Sequence, residues 1–358
     1  MIRVVIVDDS ALSRAILRKV LEHEGDIQVV GEAENGFEGL RRIEELKPDL
    51  VTMDIDMPGP NGLETVDRIM HRCPVPILVI TSEQLGPESD LGFRAIELGA
   101  LDFISKPPVT DELATASIRE QVRTLSRVPV FLHKTERAEP LQVSIEREPR
   151  SIARRFGIVA LVSGTGGPKS LGAIVRALPE DFPSAIAIVQ HMPLRFTNTF
   201  AKYLQSQTIL RVVLVEGMPH QCLPGEIVLC NADAHLFFAN RGVAVAMDAP
   251  PYAGRRPSAT VFLRSVAESY REEAIAVALS GSGDDGLEGL EAVRLAGGLT
   301  LAESPHSAPV ADLPSAALTK GAATRSFPAE LLADYLVATL ANSGSKTTAP
   351  PSSNKILI

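Results

Sequence analysis

The 358-residue chain has few cysteines, no surplus of positive charge and no long apolar run. Cys73, Cys222 and Cys230 are odd in number and form no C-x-x-C pair, so we expect neither a disulfide framework nor a zinc site. A formal net charge of -9 argues against a nucleic-acid-binding protein, which needs a clustered positive face. Because no apolar run reaches membrane-spanning length and no signal-peptide pattern opens the chain, we expect a cytoplasmic protein without membrane insertion.

The length and the hydrophobic content of 45% are sufficient for two domains, each with its own core. Helix and strand periodicity stops in a stretch rich in proline and charge, and the chain ends in a stretch rich in Ser, Thr and Pro. We therefore predict four parts: a first domain at 1–124, a linker at 125–152, a second domain at 153–342 and a disordered tail at 343–358.

In the first domain, short apolar segments alternate with helical patterns or with turns that lead to them. This alternation predicts a parallel, doubly wound α/β sheet, in which right-handed crossovers bring the carboxyl ends of the strands to one edge. The predicted strands are Arg3–Val7, Ile27–Ala33, Leu50–Met53, Ile77–Thr81 and Asp102–Ser105.

Five polar residues stand at the ends of these strands. Asp8 and Asp9 follow the first strand, Asp54 follows the third, Thr81 ends the fourth and Lys106 follows the fifth. Three carboxylates in one crevice repel one another unless a hard dication such as Mg²⁺ neutralises them, and Mg²⁺ also binds phosphate oxygens. We therefore predict a Mg²⁺ site at the three aspartates, with Asp54 as the phosphoryl acceptor. Thr81 would donate a hydrogen bond to a phosphoryl oxygen, and Lys106 would pair with its charge.

With these residues in register, 1–124 resembles a two-component receiver domain. The resemblance rests on the acidic pair, the acceptor Asp54, Thr81 and the Lys-Pro motif at Lys106, and Phe103 matches the aromatic switch position. It implies a flavodoxin-like fold, phosphorylation by a histidine kinase, and rearrangement of Thr81 and Phe103 when the phosphoryl group arrives. The loop Pro58–Gly62 is a slightly unusual version of the one that follows the phosphorylated strand.

In the second domain, helical patterns alternate with apolar strands, apart from a hairpin-like section between Val212 and Met247. This pattern predicts a mostly parallel α/β sheet, and the absence of a helix-turn-helix pattern argues against a transcription factor. The predicted strands are Gly157–Val162, Ala185–Gln190, Val212–Val215, Ile227–Leu229, Leu236–Ala239, Val243–Met247, Ala274–Leu279 and Leu299–Ala302. The predicted helices are Lys169–Leu178, Leu194–Leu204, Ser258–Tyr270, Gly286–Ala296 and Ala329–Leu340.

Three motifs follow strands of the second domain: Ser163–Pro168, Gln190–Pro193 and Gly281–Gly286. A small hydroxyl turn, a histidine and an aspartate on neighbouring strand ends indicate a nucleophile, a general base and the residue that orients the base. Nucleotide binding fits less well, because Pro168 interrupts the Gly-Lys-Ser order of a Walker-type loop.

These motifs resemble the chemotaxis receptor methylesterases and glutamine deamidases of the CheB family, and the likeness covers nearly the whole chain before the tail. Thr165–Gly167, Gln190–Pro193 and Asp285–Gly286 match the family's motifs. The resemblance implies a Ser-His-Asp hydrolase with His191 as general base and Asp285 as its orienting residue. It also implies hydrolysis of methyl-glutamate esters on chemoreceptors, with release of methanol, deamidation of receptor glutamines, and no cofactor in the second domain.

The chain departs from the family at the nucleophile. The family's serine stands directly before Thr-Gly-Gly, where this chain has Gly164, and Ser163 lies one residue upstream. Ser282 also replaces a methionine that contributes to the family's oxyanion site. Neighbouring residues of a strand point to opposite sides, so Ser163 needs a local shift of the turn to act as nucleophile. Two hypotheses stay open: a phosphorylation-controlled hydrolase that uses Ser163, and a catalytically inactive, phosphorylation-dependent binding protein of the same family. The sequence does not indicate an oligomeric state.

Overall fold

The structure is a computed structural model. It does not describe Pro107, residues 58–61, most of the linker or nearly all of the tail, so the expectations for these residues lie outside the described part of the chain. The predicted domain boundaries stay predictions. The described residues are 1–57, 62–81, 90–106, 112–130 and 157–344.

The first domain is a five-stranded parallel sheet with the strand order 2-1-3-4-5. All five predicted strands are present, and only the first differs, because it begins at Ile2. The strands are β1 (Ile2–Val7), β2 (Ile27–Ala33), β3 (Leu50–Met53), β4 (Ile77–Thr81) and β5 (Asp102–Ser105). The helices are α1 (Ala11–Leu21), α2 (Gly36–Leu46), α3 (Gly62–Arg72), α4 (Leu91–Glu97) and α5 (Glu112–Leu125).

The second domain is built on a seven-stranded sheet in which every neighbouring pair is parallel. The predicted α/β class is therefore confirmed. In the order found across the sheet, the strands are β15 (Arg325–Phe327), β14 (Leu299–Glu303), β13 (Ala274–Ala278), β6 (Ile158–Ser163), β7 (Ala185–Gln190), β10 (Glu226–Cys230) and β8 (Arg211–Val215).

The section predicted as hairpin-like divides between two sheets. Its strands β8 and β10 belong to the parallel sheet, whereas β11 (His235–Asn240) and β12 (Val243–Met247) form an antiparallel hairpin. The short strand β9 (His220–Gln221) pairs with β12 and completes a separate three-stranded sheet. The expectation of one hairpin-like section was thus correct only for β11 and β12.

The helices of the second domain cover the sheet. Helix α6 begins at Gly167 rather than at the predicted Lys169, because Gly166 turns the chain at a φ of 75° and Pro168 is favourable in a first helical turn. The predicted helix Leu194–Leu204 begins as a 3₁₀ turn. The helices are α6 (Gly167–Arg176), α7 (Thr197–Gln207), α8 (Ala259–Tyr270), α9 (Leu287–Leu295), α10 (Asp312–Thr319) and α11 (Ala329–Gly344).

The two domains share one cluster of buried apolar side chains, in which α4 of the first domain packs on α6 of the second. Phe93 of α4 stacks on Tyr203 of α7 with the ring centroids 4.9 Å apart. The amide of Gln207 donates a hydrogen bond to Glu97 across the interface at 2.6 Å. Aromatic pairs of this kind contribute about 0.5–1.5 kcal/mol beyond their buried area. The contact therefore holds the two domains together.

All three cysteines are free, and Cys222 and Cys230 are buried. Burial raises the pKa of the Cys230 thiol to about 12, so this thiol stays protonated and unreactive at neutral pH. Among the helices of the described residues, none combines the length and the hydropathy needed to cross a bilayer.

Candidate active site

The acidic cluster of the first domain lies at the ends of β1 and β3, where the strand order reverses and open α/β sheets place their ligands. Carboxylate oxygens of Asp8, Asp9 and Asp54 all lie within 4.8 Å of one another. Asp8 is 1% exposed and Asp54 is 3% exposed. Nζ of Lys106 lies 2.7 Å from Asp8 and 2.6 Å from Asp54. The structure thus brings together four of the polar residues predicted for this site.

The cluster fits a hard divalent cation. Burial raises the pKa of Asp8, although Lys106 and the Ser10 amide lower it. Oγ1 of Thr81 is also buried and has no hydrogen-bond partner among the described residues. Mg²⁺ held by the three aspartates would neutralise phosphoryl oxygens, and Thr81 could donate to one of them.

Phe103, predicted as the aromatic switch residue, is buried at the interface between the domains. Its ring packs edge-on against Phe93, with centroids 4.7 Å apart, and against Phe196 of the second domain, at 4.8 Å. Phe196 ends the 3₁₀ turn that follows His191 by a few residues. Phe103 therefore contacts the segment that follows His191 in the sequence.

The second cluster lies at the carboxyl ends of three adjacent strands, β13, β6 and β7. The chain leaves β6 toward β7 and later returns to β13 on the other side, so β6 marks the switch point of this sheet. Asp285 follows β13, Gly164 follows β6 and His191 follows β7. This topology brings together residues that are more than 90 positions apart in the sequence.

Asp285 is surrounded by hydrogen-bond donors at the N-terminus of α8. Nε2 of His191 lies 3.0 Å from one carboxylate oxygen, and the Ala259 amide donates to the same oxygen at 2.8 Å. The Ser258 hydroxyl and the Thr260 amide each donate to the other oxygen at 2.9 Å. Burial raises the pKa of Asp285, but the donors His191 and Thr260 outweigh it and hold the pKa well below its usual range. Asp285 therefore stays ionised, with one of its carboxylate oxygens 3.0 Å from Nε2 of His191.

Further hydrogen bonds hold Ser258, which donates to Asp285, in its place. Ser258 is fully buried, and its backbone amide donates to Nδ1 of His235 at 3.0 Å. Nε2 of His235 donates in turn to the carbonyl of Pro250 at 3.1 Å. Sequence reasoning missed His235 as a site residue. For Ser258 the only signal was its position at the start of a predicted helix.

Ser163, the candidate nucleophile, is the last residue of β6 and is 2% exposed. Its hydroxyl donates to Oε1 of Gln190 at 2.6 Å. The Gln190 amide then donates to the carbonyl oxygens of Gly164 at 2.8 Å and His191 at 2.9 Å. The structure brings His191 and Asp285 together, but it does not bring the Ser163 hydroxyl to His191.

Gly164 faces the histidine instead. A side-chain carbon at position 164 would lie 3.8 Å from Nδ1 of His191 and 3.9 Å from the backbone nitrogen of Ser282. Its nearest neighbour would be the α-carbon of Gly281, at 3.4 Å, which is an ordinary van der Waals contact. The side-chain carbon of a serine at this position would therefore fit without displacing the backbone, on the side of the turn that faces His191.

A buried polar network fixes the turn that contains Gly164. The Gly164 amide donates to the carbonyl of Ser280 at 2.9 Å, and the Ser280 hydroxyl donates to the carbonyl of Thr165 at 2.8 Å. Glu303 accepts from the Ser280 amide and from the Ser170 hydroxyl, both at 2.9 Å. Burial raises the pKa of Glu303 to about 7. This network limits how far the turn can move to redirect Ser163.

The first domain reaches this turn through Asp102. Burial raises the pKa of Asp102 to about 7, although the amides of Phe103 and Gly166 donate to its carboxyl group and lower it. Gly166 precedes α6 in the same turn as Gly164. The carboxyl group of Asp102 therefore lies close to the turn that contains Gly164.

The fold and these two sites define a response regulator in which a receiver domain is joined to an α/β domain of the serine-hydrolase type. Two family models match the chain, a response regulator receiver domain over residues 4–118 and the CheB methylesterase over residues 159–336. The chain belongs to the CheB methylesterase family.

Relatives match almost the whole chain. A protein-glutamate methylesterase/protein-glutamine glutaminase of Koribacter versatilis is 32% identical over 348 residues, covering 94% of this chain and 95% of its own length. One from Anaeromyxobacter dehalogenans is 37% identical over 334 residues, covering 92% and 94%. The solved CheB methylesterase catalytic domain of Thermotoga maritima is 33% identical, with a TM-score of 0.49, and covers 51% of this chain and 98% of that chain.

Proposed function

We propose that this chain is a phosphorylation-controlled chemotaxis response regulator whose second domain engages chemoreceptor glutamyl side chains without forming a serine acyl-enzyme. The ligand class rests on the names of its relatives, which are protein-glutamate methylesterases and protein-glutamine glutaminases. The phosphate control rests on the receiver domain and on the cluster at Asp54.

The observation that carries the proposal is the direction of the Ser163 hydroxyl. To reach His191, Ser163 would have to leave Gln190, to which it donates at 2.6 Å, and cross to the other side of the strand end. Leaving a buried polar group unsatisfied costs about 1–3 kcal/mol, before any distortion of the turn is included. Gly164, which does face His191, carries no hydroxyl.

The consequence for serine chemistry is large. Removing the nucleophile of a serine triad lowers turnover by about a million-fold, or roughly 8 kcal/mol of barrier. What survives is the capacity to bind the substrate and to polarise it. Binding of the glutamyl side chain is therefore the function that this geometry supports best.

The receiver would control access to the site. A phosphoryl group on Asp54 would attract the Thr81 hydroxyl and allow Phe103 to turn inward, away from Phe196. The loop that carries His191 would then lose its contact with the first domain, and Asp102 would leave Gly166. The histidine kinase that supplies the phosphoryl group and the methylated receptors are the expected partners.

Ester hydrolysis by this chain is a second candidate, and a specific observation favours it. Nε2 of His191 lies 3.0 Å from a carboxylate oxygen of Asp285, and the buried Ser258 hydroxyl donates to the other oxygen. A domain used only for binding does not need a histidine held in the tautomer of a general base.

The absence of a serine nucleophile can be tested with a fluorophosphonate probe, which labels activated serines covalently. Full-length protein would be treated with Mg²⁺ and acetyl phosphate to occupy Asp54, and labelling of the wild type would be compared with Ser163→Ala and Gly164→Ser. We expect no labelling of the wild type and clear labelling of Gly164→Ser. Labelling of the wild type that Ser163→Ala abolishes would overturn the proposal.

A further inference from the structure

A side-chain carbon at position 164 would make only ordinary van der Waals contacts, and Nδ1 of His191 would be one of its three nearest neighbours. We propose that a water molecule takes the place of the serine hydroxyl there, and that His191 activates it to hydrolyse glutamyl methyl esters in a single displacement. The inference rests on the proposed function, in that it assumes that no serine of this chain attacks the ester.

The imidazole ring of His191 lies beside position 164. Nε2 of His191 lies 3.0 Å from the ionised Asp285, and a proton on Nε2 leaves the free electron pair of the ring on Nδ1. Nδ1 is the ring atom on the side of position 164, 3.8 Å from the place where a side-chain carbon would stand. The His191 side chain is 20% exposed, so solvent and a side chain of a receptor can reach it once the receiver domain has moved.

The surroundings of position 164 suit one water molecule. A bound water needs two or more polar partners and about the volume of one probe sphere. Nδ1 of His191 and the backbone nitrogen of Ser282 both lie within 4 Å of the place where a side-chain carbon would stand. The Ser163 hydroxyl does not compete for this place, because it donates to Gln190.

The reaction balances without a cofactor. The water oxygen bonds to the ester carbonyl carbon while Nδ1 of His191 takes one of its protons, and Asp285 stabilises the imidazolium that results. The tetrahedral intermediate then breaks its bond to the methoxy oxygen, which takes the proton from Nδ1. The products are a glutamate side chain and methanol, and no covalent intermediate with the protein forms.

The expected rates depend on whether the general base and a serine nucleophile are present. A positioned general base contributes about 10²–10⁴-fold, so His191→Ala should lower the hydrolysis rate of the wild type by about 100-fold or more. Gly164→Ser restores a nucleophile on the protein and should raise the rate by about 100-fold or more. The wild type thus lies between these two variants.

The test uses full-length protein, treated with Mg²⁺ and acetyl phosphate, and a cytoplasmic chemoreceptor fragment that carries tritiated methyl esters. Released methanol would be measured for the wild type, His191→Ala and Gly164→Ser. His23→Ala is the matched control, because His23 is exposed in a 3₁₀ turn of the receiver domain and contacts neither site. The inference predicts slow release by the wild type and by His23→Ala, and loss of that release in His191→Ala.

Labelling the same samples with a fluorophosphonate separates the two ways in which this account can fail. Methanol release by the wild type that the probe does not inhibit supports the water mechanism. Release that is equal in the wild type and His191→Ala, or absent from the wild type and present in Gly164→Ser, overturns the water mechanism and leaves the proposed binding function standing. Release that is inhibited by a label on Ser163 overturns both.

Discussion

The receiver site and the second site occupy equivalent places in their sheets, beside the strand at which the strand order reverses, yet they differ in completeness. At the first site, three carboxylates and a lysine lie together, and the hydroxyl of Thr81 at the end of β4 is buried without a hydrogen-bond partner among the described residues. At the second site, the base and its carboxylate are in place, but the residue beside them is Gly164. His191 and Asp285 thus lie together although the residue beside them carries no hydroxyl.

The largest effect is expected on phosphate uptake at the receiver site. Asp54→Asn should abolish acid-labile phosphate uptake, because an amide cannot accept the phosphoryl group. Asp56→Asn is the matched control, since Asp56 is exposed two residues away. Uptake would be measured with radiolabelled acetyl phosphate, and labelling that persists in Asp54→Asn would reject the acceptor assignment.

The second site can be completed by the substitution Gly164→Ser. In the Gly164→Ser background, Asp285→Asn should lower methanol release by about 10⁴-fold, because the amide favours the wrong tautomer of His191. Asp284→Asn, an exposed neighbour, should have little effect. Because Asp285 also accepts from amides of α8, the melting temperature of each variant is measured alongside. An unchanged rate in Asp285→Asn would show that the His191–Asp285 pair does not contribute to catalysis.

A smaller effect is expected from the contact between the two sites. Burial raises the pKa of Asp102 to about 7 in the docked protein from an ordinary value of 3.8, so the docked form binds the proton more tightly. Docking is therefore strongest below the ordinary pKa and weakens as the pH rises toward 7. The separation of the domains, measured by small-angle scattering at pH 5 and pH 8, should increase with pH, and Asp102→Asn should remove that increase. A pH dependence that survives in Asp102→Asn would assign it to another group.

Much of the fold could be predicted because the buried strands are short apolar runs that end in polar turns. β2 to β5 coincide with the predicted segments, and so do β7 and β12. The missed elements lack such a signal: β9 has two residues and β15 has three, and α10 contains Pro314, which reads as a helix breaker although a first helical turn tolerates it. The pairing of β8 with β10 depends on a crossover that local periodicity does not encode.

The candidate residues His191, Asp285 and Gly164 could be identified from motifs, whereas their supporting contacts could not. The bonds from Ser163 to Gln190 and from Ser258 to Asp285 each join residues 27 positions apart. Only the tertiary fold creates such pairs. The contact of Phe196 could likewise not be predicted from the sequence, because its partner Phe103 belongs to the other domain.

The most direct measurement is the intact mass of the protein during a single turnover with a methyl-esterified glutamyl peptide. The wild type, opened with Mg²⁺ and acetyl phosphate, would be quenched in acid and compared with Gly164→Ser. The account predicts an acyl adduct on Gly164→Ser, located at the new serine, and an unmodified second domain in the wild type. An acyl adduct on Ser163 of the wild type would contradict the central claim that this chain lacks a serine nucleophile.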